Sequence, residues 1–432
     1  MKSATQYIVL GVFIFFLVVA VLVFAAFGTG NQSTKTATAV IWGTVPASVF
    51  TSITYNLNAQ NPGALNVNYR EITPEAFEQT LIEALADGQG PDAVLMSQEF
   101  LLKNERKLSL IPFTTISERT FKDSFIEGAE ILLTPEGIYG LPFLVDPVVM
   151  YWNRDILASK NIAKPPQTWE ELLALASQLT ELTDDKSIKK SAVALGDYIN
   201  IDHAKDILSA LMLQAGSRMV VRDTAAPEGA KNLTGNNEGF PTNPIVSSLS
   251  FYTQFANPLV SIYSWNRSFP NSMQMFVNGD LALYFGRASD LSSIRRKNPN
   301  LNFDVATLPQ PQSAPSKKTF GNVYSFSILG SSQNKSGAFG TISLLTSAGI
   351  EKMASDLTGL PPADRSLLSV NPGTAAGDVF FRSALWTKNW LDPNPAQTDF
   401  IFKTAVDSIV TGKSRPVDAA GVMTNQMDEI LR

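Results

Sequence analysis

The chain has 432 residues, a net charge of −5 and a hydrophobic content of 44%. This length exceeds what one hydrophobic core usually supports, so we expect two globular units, and the hydrophobic content excludes a disordered protein. Because the chain is acidic and has no basic stripe, we expect no nucleic-acid partner. Cysteine is absent and His203 is the only histidine, which excludes thiol nucleophiles, disulfides and Cys/His zinc sites. We expect no metal site, no cofactor and no catalytic residues.

An unbroken apolar run, Tyr7 to Phe27, lies near the N-terminus. At about 1.5 Å per residue it reaches about 31 Å, which matches a bilayer hydrocarbon core of about 30 Å. We therefore predict an uncleaved transmembrane anchor within residues 1–28 and a flexible polar tether over residues 29–38. The alternative is a long signal peptide that is cut near Ala26-Phe27-Gly28.

Strand and helix patterns alternate after the tether. The predicted elements are, in chain order, a strand at Thr38–Trp42, a helix at Ser48–Ala59, a strand at Leu65–Glu71, a helix that begins after Thr73, and a strand at Ala93–Met96. This alternation predicts an α/β fold with a parallel sheet and right-handed crossovers. Ligands of such sheets bind beyond the carboxyl ends of the strands, where Trp42, Gln98 and Glu99 lie.

Asp146 is an isolated carboxylate between two apolar runs, Leu141–Val145 and Val148–Met150. Burial of an unpaired carboxylate costs several kcal/mol, so Asp146 must face a partner, a cleft or water. We favour a cleft position, and the alternative is an acid that caps a turn before Pro147. A helix follows, because Thr168 and Glu171 have the spacing of a capping box.

The C-terminal half contains further strands that end in polar or aromatic residues. A helix end, a glycine turn and a short buried strand bring Phe285 and Arg287 to a strand end. A proline-rich linker, residues 310–318, precedes an apolar strand that contains Asn322 and Tyr324. Trp265 and Trp386 lie in connections between predicted elements.

These ordered motifs resemble family 1 extracellular solute-binding proteins, the group that contains the maltose-binding protein of bacterial ABC importers. The resemblance covers about Val40 to Leu431. It implies a two-lobe, periplasmic-binding-protein-like (type II) α/β fold with a hinge. We expect lobe I to comprise residues 39–144 and 266–312, and lobe II to comprise residues 145–262 and 320–432.

The resemblance also implies that the lobes rotate about the linkers and enclose a small solute, such as a mono- or oligosaccharide, in the cleft between them. Carboxylates and amides would bind sugar hydroxyls, and aromatic rings would stack on the C–H faces of the sugar. The candidate ligand-binding residues are Trp42, Gln98, Glu99, Asp146, Trp265, Phe285, Arg287, Asn322, Tyr324 and Trp386.

The resemblance places the globular part outside the cell, on a single-pass protein of the cell membrane, with the permease subunits of an ABC transporter as partners. One alternative is a membrane-anchored sensor or adhesion module with the same fold. A weaker alternative is an extracellular glycosidase that uses Asp146 and Glu99 as acid and base. Peptides, phosphate esters and polyamines stay open as ligands.

Overall fold

The computed structural model describes residues 38–60, 65–184, 187–222, 230–232 and 243–432. The predicted transmembrane anchor, and the tether as far as residue 37, lie outside these ranges. Among the helices within them, none combines the length and the apolar character that crossing a bilayer requires.

The described strands are β1 (Thr38–Gly43), β2 (Asn66–Glu71), β3 (Ala93–Ser97), β4 (Leu108–Ser109), β5 (Leu133–Thr134), β6 (Gly137–Ile138), β7 (Leu141–Asn153), β8 (Glu181–Leu182), β9 (Ile188–Val193), β10 (Val220–Arg222), β11 (Ala230–Asn232), β12 (Leu281–Arg287), β13 (Phe303–Thr307), β14 (Thr319–Leu329) and β15 (Thr387–Lys388). The described α-helices are α1 (Ala47–Gln60), α2 (Pro74–Ala86), α3 (Leu101–Asn104), α4 (Glu118–Ser124), α5 (Arg154–Ser159), α6 (Trp169–Leu179), α7 (Ala204–Gln214), α8 (Pro244–Thr253), α9 (Ser272–Asn278), α10 (Asp290–Lys297), α11 (Lys335–Leu345), α12 (Ala348–Thr358), α13 (Arg365–Leu368), α14 (Ala375–Leu385), α15 (Pro395–Val410) and α16 (Pro416–Ile430). Short 3₁₀ helices lie at Gln98–Phe100, Glu105–Lys107, Glu127–Leu132 and Gln254–Ala256.

The main sheet has the strand order β2-β1-β3-β14-β7-β12-β9-β8. Strand β1 is parallel to both β2 and β3, which confirms the predicted parallel arrangement of the N-terminal strands. Each of these strands begins and ends within one residue of its predicted bounds. The β3 strand is buried on both faces, as parallel strands covered by helices are.

Strand β7 runs through both lobes. Its first half, residues 141–147, pairs with β14, whereas its second half, residues 148–153, pairs with β12 and β13. One lobe is therefore built on β2, β1, β3, β14 and the start of β7. The other is built on the end of β7 together with β12, β13, β9 and β8, so the fold is a two-lobe α/β fold.

Strand pairing corrects the predicted lobe boundaries. Residues 266–312, expected in lobe I, contain β12 and β13, which pair with the second half of β7 and thus lie in the second lobe. Residues 320–329, expected in lobe II, pair with β3 and β4 of the first lobe. The chain therefore stays in the second lobe between residues 262 and 266, where the predicted lobes change. Local sequence patterns identify strands but do not say which strands pair, and this caused the error.

The start of helix α6 shows how the sequence fixes local structure. The hydroxyl of Thr168 accepts a hydrogen bond from the backbone N–H of Glu171 at 3.2 Å. The carboxylate of Glu171 accepts from the backbone N–H of Gln167 at 2.6 Å, one residue before the expected donor. Such a cap stabilises a helix by about 1 kcal/mol. The helix buries an apolar stripe that includes Trp169 and Leu172.

Each lobe has an aromatic core that anchors the long strands. In the first lobe Phe143 of β7 packs on Phe326 of β14, with 4.9 Å between ring centroids. In the second lobe Tyr284 of β12 lies 5.8 Å from Tyr151 of β7 and 5.7 Å from Phe276. Because truncation of a buried phenylalanine to alanine costs about 3–5 kcal/mol, these clusters hold the strands that position the site.

Candidate functional site

Residues from both lobes line a cavity of about 420 Å³. This volume falls within the range of about 300–1,000 Å³ that is typical of small-molecule sites. Glu99 comes from the first lobe, directly after β3, and Arg287 comes from the second lobe, at the end of β12. The lining residues are Glu99, Tyr198, Ile201, His203, Ala204, Lys205, Asp206, Arg287, Pro395, Ala396 and Asp399.

Glu99 provides the acceptor on the first-lobe side of the cavity. It lies in the 3₁₀ helix that follows the carboxyl end of β3, which is where ligands of parallel sheets bind. Burial raises the pKa of the Glu99 carboxyl, and the positive charge of Arg287 partly opposes this rise. No described residue donates a hydrogen bond to the Glu99 carboxylate, so both of its oxygens are available to a solute.

Arg287 provides the donors on the opposite side. Its Nε donates to Oδ2 of Asp206 at 2.6 Å, and its backbone N–H donates to Oδ2 of Asp290 at 3.1 Å. Burial works against the charge, but the carboxylates of Asp206 and Glu99 raise the pKa of Arg287 further above its usual value. The two terminal nitrogens have no described protein acceptor, so they can donate to a solute.

The second-lobe wall contains charged residues that the sequence analysis did not single out. The ammonium group of Lys205 donates to Asp392 at 2.5 Å and to Thr398 at 2.7 Å, and it lies 3.3 Å from the carbonyl oxygen of Pro395. Three donors are therefore already engaged. The Tyr198 hydroxyl donates to Asp399 at 2.5 Å, and burial together with this carboxylate raises the pKa of Tyr198.

His203, which also lines the cavity, lies between two acidic residues. It adopts a left-handed backbone conformation, with φ of 57°, immediately before α7. Its Nε2 lies 3.0 Å from Oδ2 of Asp290, and its Nδ1 lies 3.7 Å from Oδ2 of Asp206. The sequence signal that could have indicated this role was that His203 is the only histidine in the chain.

Asp146 has the partner that its buried position demands. It is 2% exposed, and its two oxygens accept from the backbone N–H of Ser289 at 2.9 Å and the hydroxyl of Ser289 at 2.7 Å. Burial nevertheless raises the pKa of Asp146. The carboxylate therefore caps the turn that leads into α10 and is not among the lining residues of the cavity. Asp146 and Glu99 consequently do not form an acid–base pair around this cavity.

Gln98 and Asn322 bind each other in the interior. Nε2 of Gln98 donates to Oδ1 of Asn322 at 2.9 Å, and Oε1 of Gln98 accepts from the backbone N–H of Val323 at 2.6 Å. The pair therefore joins the end of β3 to β14. Tyr324, two residues after Asn322, is partly buried and lies opposite Leu144 of β7. None of these residues is among those lining the cavity.

The candidate aromatic residues are engaged with the protein. Trp265 is 0% exposed and donates from Nε1 to Asn200 at 2.9 Å, and Phe285 is 1% exposed and packs on Trp169. Their burial corrects the expectation that these two rings contact the solute. The sequence places an aromatic residue near a strand end but does not give its depth.

The other two tryptophans among the candidate ligand residues, Trp42 and Trp386, each contact a cation. The guanidinium of Arg70 lies 4.6 Å from the ring centroid of Trp42, which is buried at the end of β1. The ammonium group of Lys317 lies 4.9 Å from the ring centroid of Trp386, which is partly buried. Neither ring lines the cavity, so of the ten candidate residues the structure brings only Glu99 and Arg287 together there.

The two lobes also contact each other directly, outside the cavity. Nη1 of Arg222, on β10 of the second lobe, donates to Oε2 of Glu105 in the first lobe at 2.8 Å. The guanidinium also lies 5.0 Å from the ring centroid of Tyr139, which belongs to the first lobe. We name Arg222 and Glu105 the interlobe ion pair. Sequence analysis missed it because Arg222 falls in a polar stretch without a periodic pattern.

Comparison with known proteins places this geometry in context. The family model of the bacterial extracellular solute-binding proteins matches residues 53–378, which is more than half of the chain. A protein of Brucella abortus (strain 2308) that is described as a binding protein is 26% identical over 137 residues. That match spans 31% of this chain and 32% of the Brucella protein.

Solved structures share the fold at low sequence identity. The cyclic alpha-maltosyl-1,6-maltose binding protein of Arthrobacter globiformis has a TM-score of 0.74 and 14% identity, over 91% of this chain and 98% of that one. A cyclo/maltodextrin-binding protein complexed with maltotetraose has a TM-score of 0.72 and 17% identity, over 92% and 98%. An ABC transporter solute-binding protein of Thermotoga lettingae bound with α-D-tagatose has a TM-score of 0.64 and 20% identity, over 91% and 100%. With two lobes, a cavity between them and this family match, the chain belongs to the bacterial extracellular solute-binding proteins.

Proposed function

We propose that this protein is the membrane-tethered solute-binding component of an ABC importer and that it captures a mono- or oligosaccharide between its lobes. The observation that carries the proposal is that Glu99 and Arg287 reach one cavity from opposite lobes, each with unused hydrogen-bonding groups. A hydroxyl group can donate to the carboxylate and accept from the guanidinium at the same time. A polyol in the cavity would therefore contact both lobes.

Contact with both lobes provides a mechanism of capture. A solute that binds the closed form better than the open form shifts the equilibrium towards closure, and its differential affinity sets the size of the shift. A dissociation constant of 1 μM corresponds to about 8 kcal/mol. Because hydrogen bonds to charged groups contribute about 1.5–3 kcal/mol each, Glu99 and Arg287 can supply a large share of this free energy.

The ligands of the structural neighbours support a carbohydrate. Two of these neighbours are bound to maltotetraose and to α-D-tagatose, which are both polyhydroxylated and uncharged. A cavity of about 420 Å³ is large enough for a small saccharide. This chain would bind such a solute chiefly through charged residues, because Tyr198 is the only Tyr, Phe or Trp among the described residues that line this cavity.

The predicted anchor completes the proposal. The apolar run from Tyr7 to Phe27 would hold the protein at the cell membrane as a single-pass protein with its lobes outside the cell. Tethering keeps the lobes near their membrane partner and raises its effective concentration. The partners would be the permease subunits of the importer.

Calorimetry tests the proposal directly. Maltose, maltotriose and D-tagatose are titrated into the wild-type protein and into Glu99→Gln and Arg287→Lys. We expect heat from at least one sugar and a loss of affinity of about tenfold or more in each variant, as loss of one charge-assisted hydrogen bond implies. Glu75→Gln, an exposed acid at the start of α2, is the control and should bind like wild type. No heat from any carbohydrate, or unchanged affinity in Glu99→Gln, would contradict it.

A further inference from the structure

Both ring nitrogens of His203 face carboxylates. Nε2 lies 3.0 Å from Oδ2 of Asp290, and Nδ1 lies 3.7 Å from Oδ2 of Asp206. A neutral imidazole has one N–H group and one lone pair, so one of its nitrogens would direct a lone pair at a carboxylate. An imidazolium can donate to Asp290 and also places a positive charge 3.7 Å from the Asp206 carboxylate. The geometry therefore favours the protonated form of His203.

The same two carboxylates hold Arg287. Oδ2 of Asp206 accepts from Nε of Arg287 at 2.6 Å, and Oδ2 of Asp290 accepts from its backbone N–H at 3.1 Å. Two cations thus face two carboxylates while His203 is protonated. Loss of the proton leaves Arg287 as the only cation that the described part of the chain places between Asp206 and Asp290. Arg287 is then attracted more strongly to Asp206, because His203 no longer shares the negative charge of that carboxylate. This attraction competes with hydrogen bonds from the guanidinium to a solute.

We propose that protonated His203 is a positioning residue for Arg287. By holding Asp206 and Asp290, it leaves the terminal nitrogens of Arg287 free to bind the solute, so the protein binds its solute most tightly while His203 carries a proton. This inference rests on the proposed function and adds to it a residue that controls the site and a pH dependence of capture.

The other charged groups near His203 are already committed. The Asp202 carboxylate accepts from the hydroxyl of Ser272 and the backbone N–H of Met273, both at 2.9 Å. Lys205 is held by Asp392, and the Tyr284 hydroxyl donates to Asp290 at 2.8 Å. Glu99 faces this group from the first lobe, across the cavity. None of these groups can replace the proton of His203 between Asp206 and Asp290.

The electrostatics agree with the geometry. Burial works against the charge on the imidazole, but the hydrogen bond and the negative charge of Asp290 raise the pKa of His203 above its ordinary value of about 6.5. Reciprocally, His203 holds the pKa of Asp290 below its usual range, although burial of that carboxyl opposes the effect. We therefore expect affinity to be lost as pH rises above about 6.5, the ordinary pKa of histidine.

A single histidine makes the proposal measurable without ambiguity. The imidazole of His203 is titrated by NMR in the free protein and with saturating maltotriose, or D-tagatose if maltotriose gives no heat. The dissociation constant for the same sugar is measured from pH 5.5 to 9. Linkage requires that the ratio of affinities at the acidic and alkaline plateaus equals ten raised to the increase in pKa on binding. We expect this ratio to be about fivefold or more, the lower end of typical coupling.

His203→Asn removes the titration and suits the left-handed backbone, which asparagine tolerates well. We expect this variant to bind with the weak affinity of the alkaline wild-type plateau at every pH. Equal pKa values in the free and bound protein, or a pH dependence that persists in His203→Asn, would overturn the inference and leave the proposed function standing. If none of the sugars binds the wild-type protein at any pH, the proposed function is overturned and this inference with it.

Discussion

Arg222 and Glu105 join the two lobes through a hydrogen-bonded ion pair, with 2.8 Å between Nη1 and Oε2. The side chains are only 14% and 7% exposed, and Nε and Nη2 of Arg222 are buried without a hydrogen-bond partner in the described part of the chain. Because the two residues belong to different lobes, the contact stabilises the lobe arrangement of this structure, in which Glu99 and Arg287 reach one cavity. Neither Arg222 nor Glu105 lines the cavity.

Glu105→Gln should therefore weaken solute binding although Glu105 does not line the cavity. Removal of one partner from a buried ion pair costs about 3–5 kcal/mol when burial is complete. This pair is slightly exposed, so we expect a smaller loss, about tenfold in the dissociation constant or about 1.4 kcal/mol. Calorimetry with the best-binding sugar measures it. Lys352→Met, which removes an exposed pair with Asp356, is the control, and equal affinities for Glu105→Gln and wild type would refute the role.

Asp146→Ala should reduce stability and leave affinity within about twofold of wild type. The change removes the acceptor of two Ser289 donors and leaves a cavity in the interior, with a cost of about 2–4 kcal/mol. Urea unfolding followed by tryptophan fluorescence measures the loss. Ser289→Ala, which removes one of the two donors, should lose less. If the Asp146→Ala variant has wild-type stability but no longer binds sugar, Asp146 belongs to the binding site instead.

Glu351 should make the protein less stable as pH rises. It is fully buried in α12, where Oε1 accepts from the backbone N–H of Asp364 and Oε2 has no described partner. Burial raises its pKa well above the value of about 4.3 expected in an unfolded chain. Its contribution to stability is full below that value and is lost as pH rises towards the pKa in the folded protein.

The variant Glu351→Gln isolates this contribution. Other buried groups, including Asp146 and His203, also have raised pKa values, so the informative quantity is the difference between the two proteins. We expect the unfolding free energy of wild type to fall more steeply than that of Glu351→Gln between about pH 5 and pH 8. Urea midpoints at a series of pH values measure it. Parallel curves would show that Glu351 does not titrate differently on folding.

Trp265→Phe tests whether a predicted ligand residue is structural. The substitution removes the hydrogen bond from Nε1 to Asn200 and leaves that half-buried acceptor without this donor. We expect a loss of about 1–3 kcal/mol in unfolding free energy and no change in sugar affinity. Thermal unfolding and calorimetry on the same preparation separate the two effects. A selective loss of affinity would contradict the interior position of the indole.

The sequence predicts local structure here better than it predicts long-range pairing. Alternating patterns locate β1, β2 and β3 within a residue, because each strand carries its own burial pattern. The cap of α6 at Thr168 and the need of Asp146 for a partner are likewise local properties. By contrast, we predicted β12 and β13 in lobe I, whereas they pair with the second half of β7 in the second lobe. The residues of a strand do not indicate which strand it pairs with.

The site shows the same limit. Glu99 follows from the rule that ligands bind at strand ends, Arg287 from the family resemblance, and the structure brings the two to one cavity. Lys205 and Asp392 could not be paired from sequence, since 187 residues separate them. His203 was visible only as an isolated histidine, and its two carboxylate neighbours come from α7 and α10. Contacts of this kind depend on tertiary packing, which residue patterns do not encode locally.

Closure of the lobes on a sugar is best tested by a distance measurement, and the absence of cysteine allows selective labelling. Spin labels at Tyr55→Cys and Val417→Cys, both exposed, report the distance between α1 of the first lobe and α16 of the second. Labels at Leu259→Cys and Val417→Cys, both in the second lobe, provide the control. We expect saturating sugar to shift the first distance distribution towards one narrow closed population and to leave the control unchanged. Bound sugar without any shift in the first pair would contradict capture by closure.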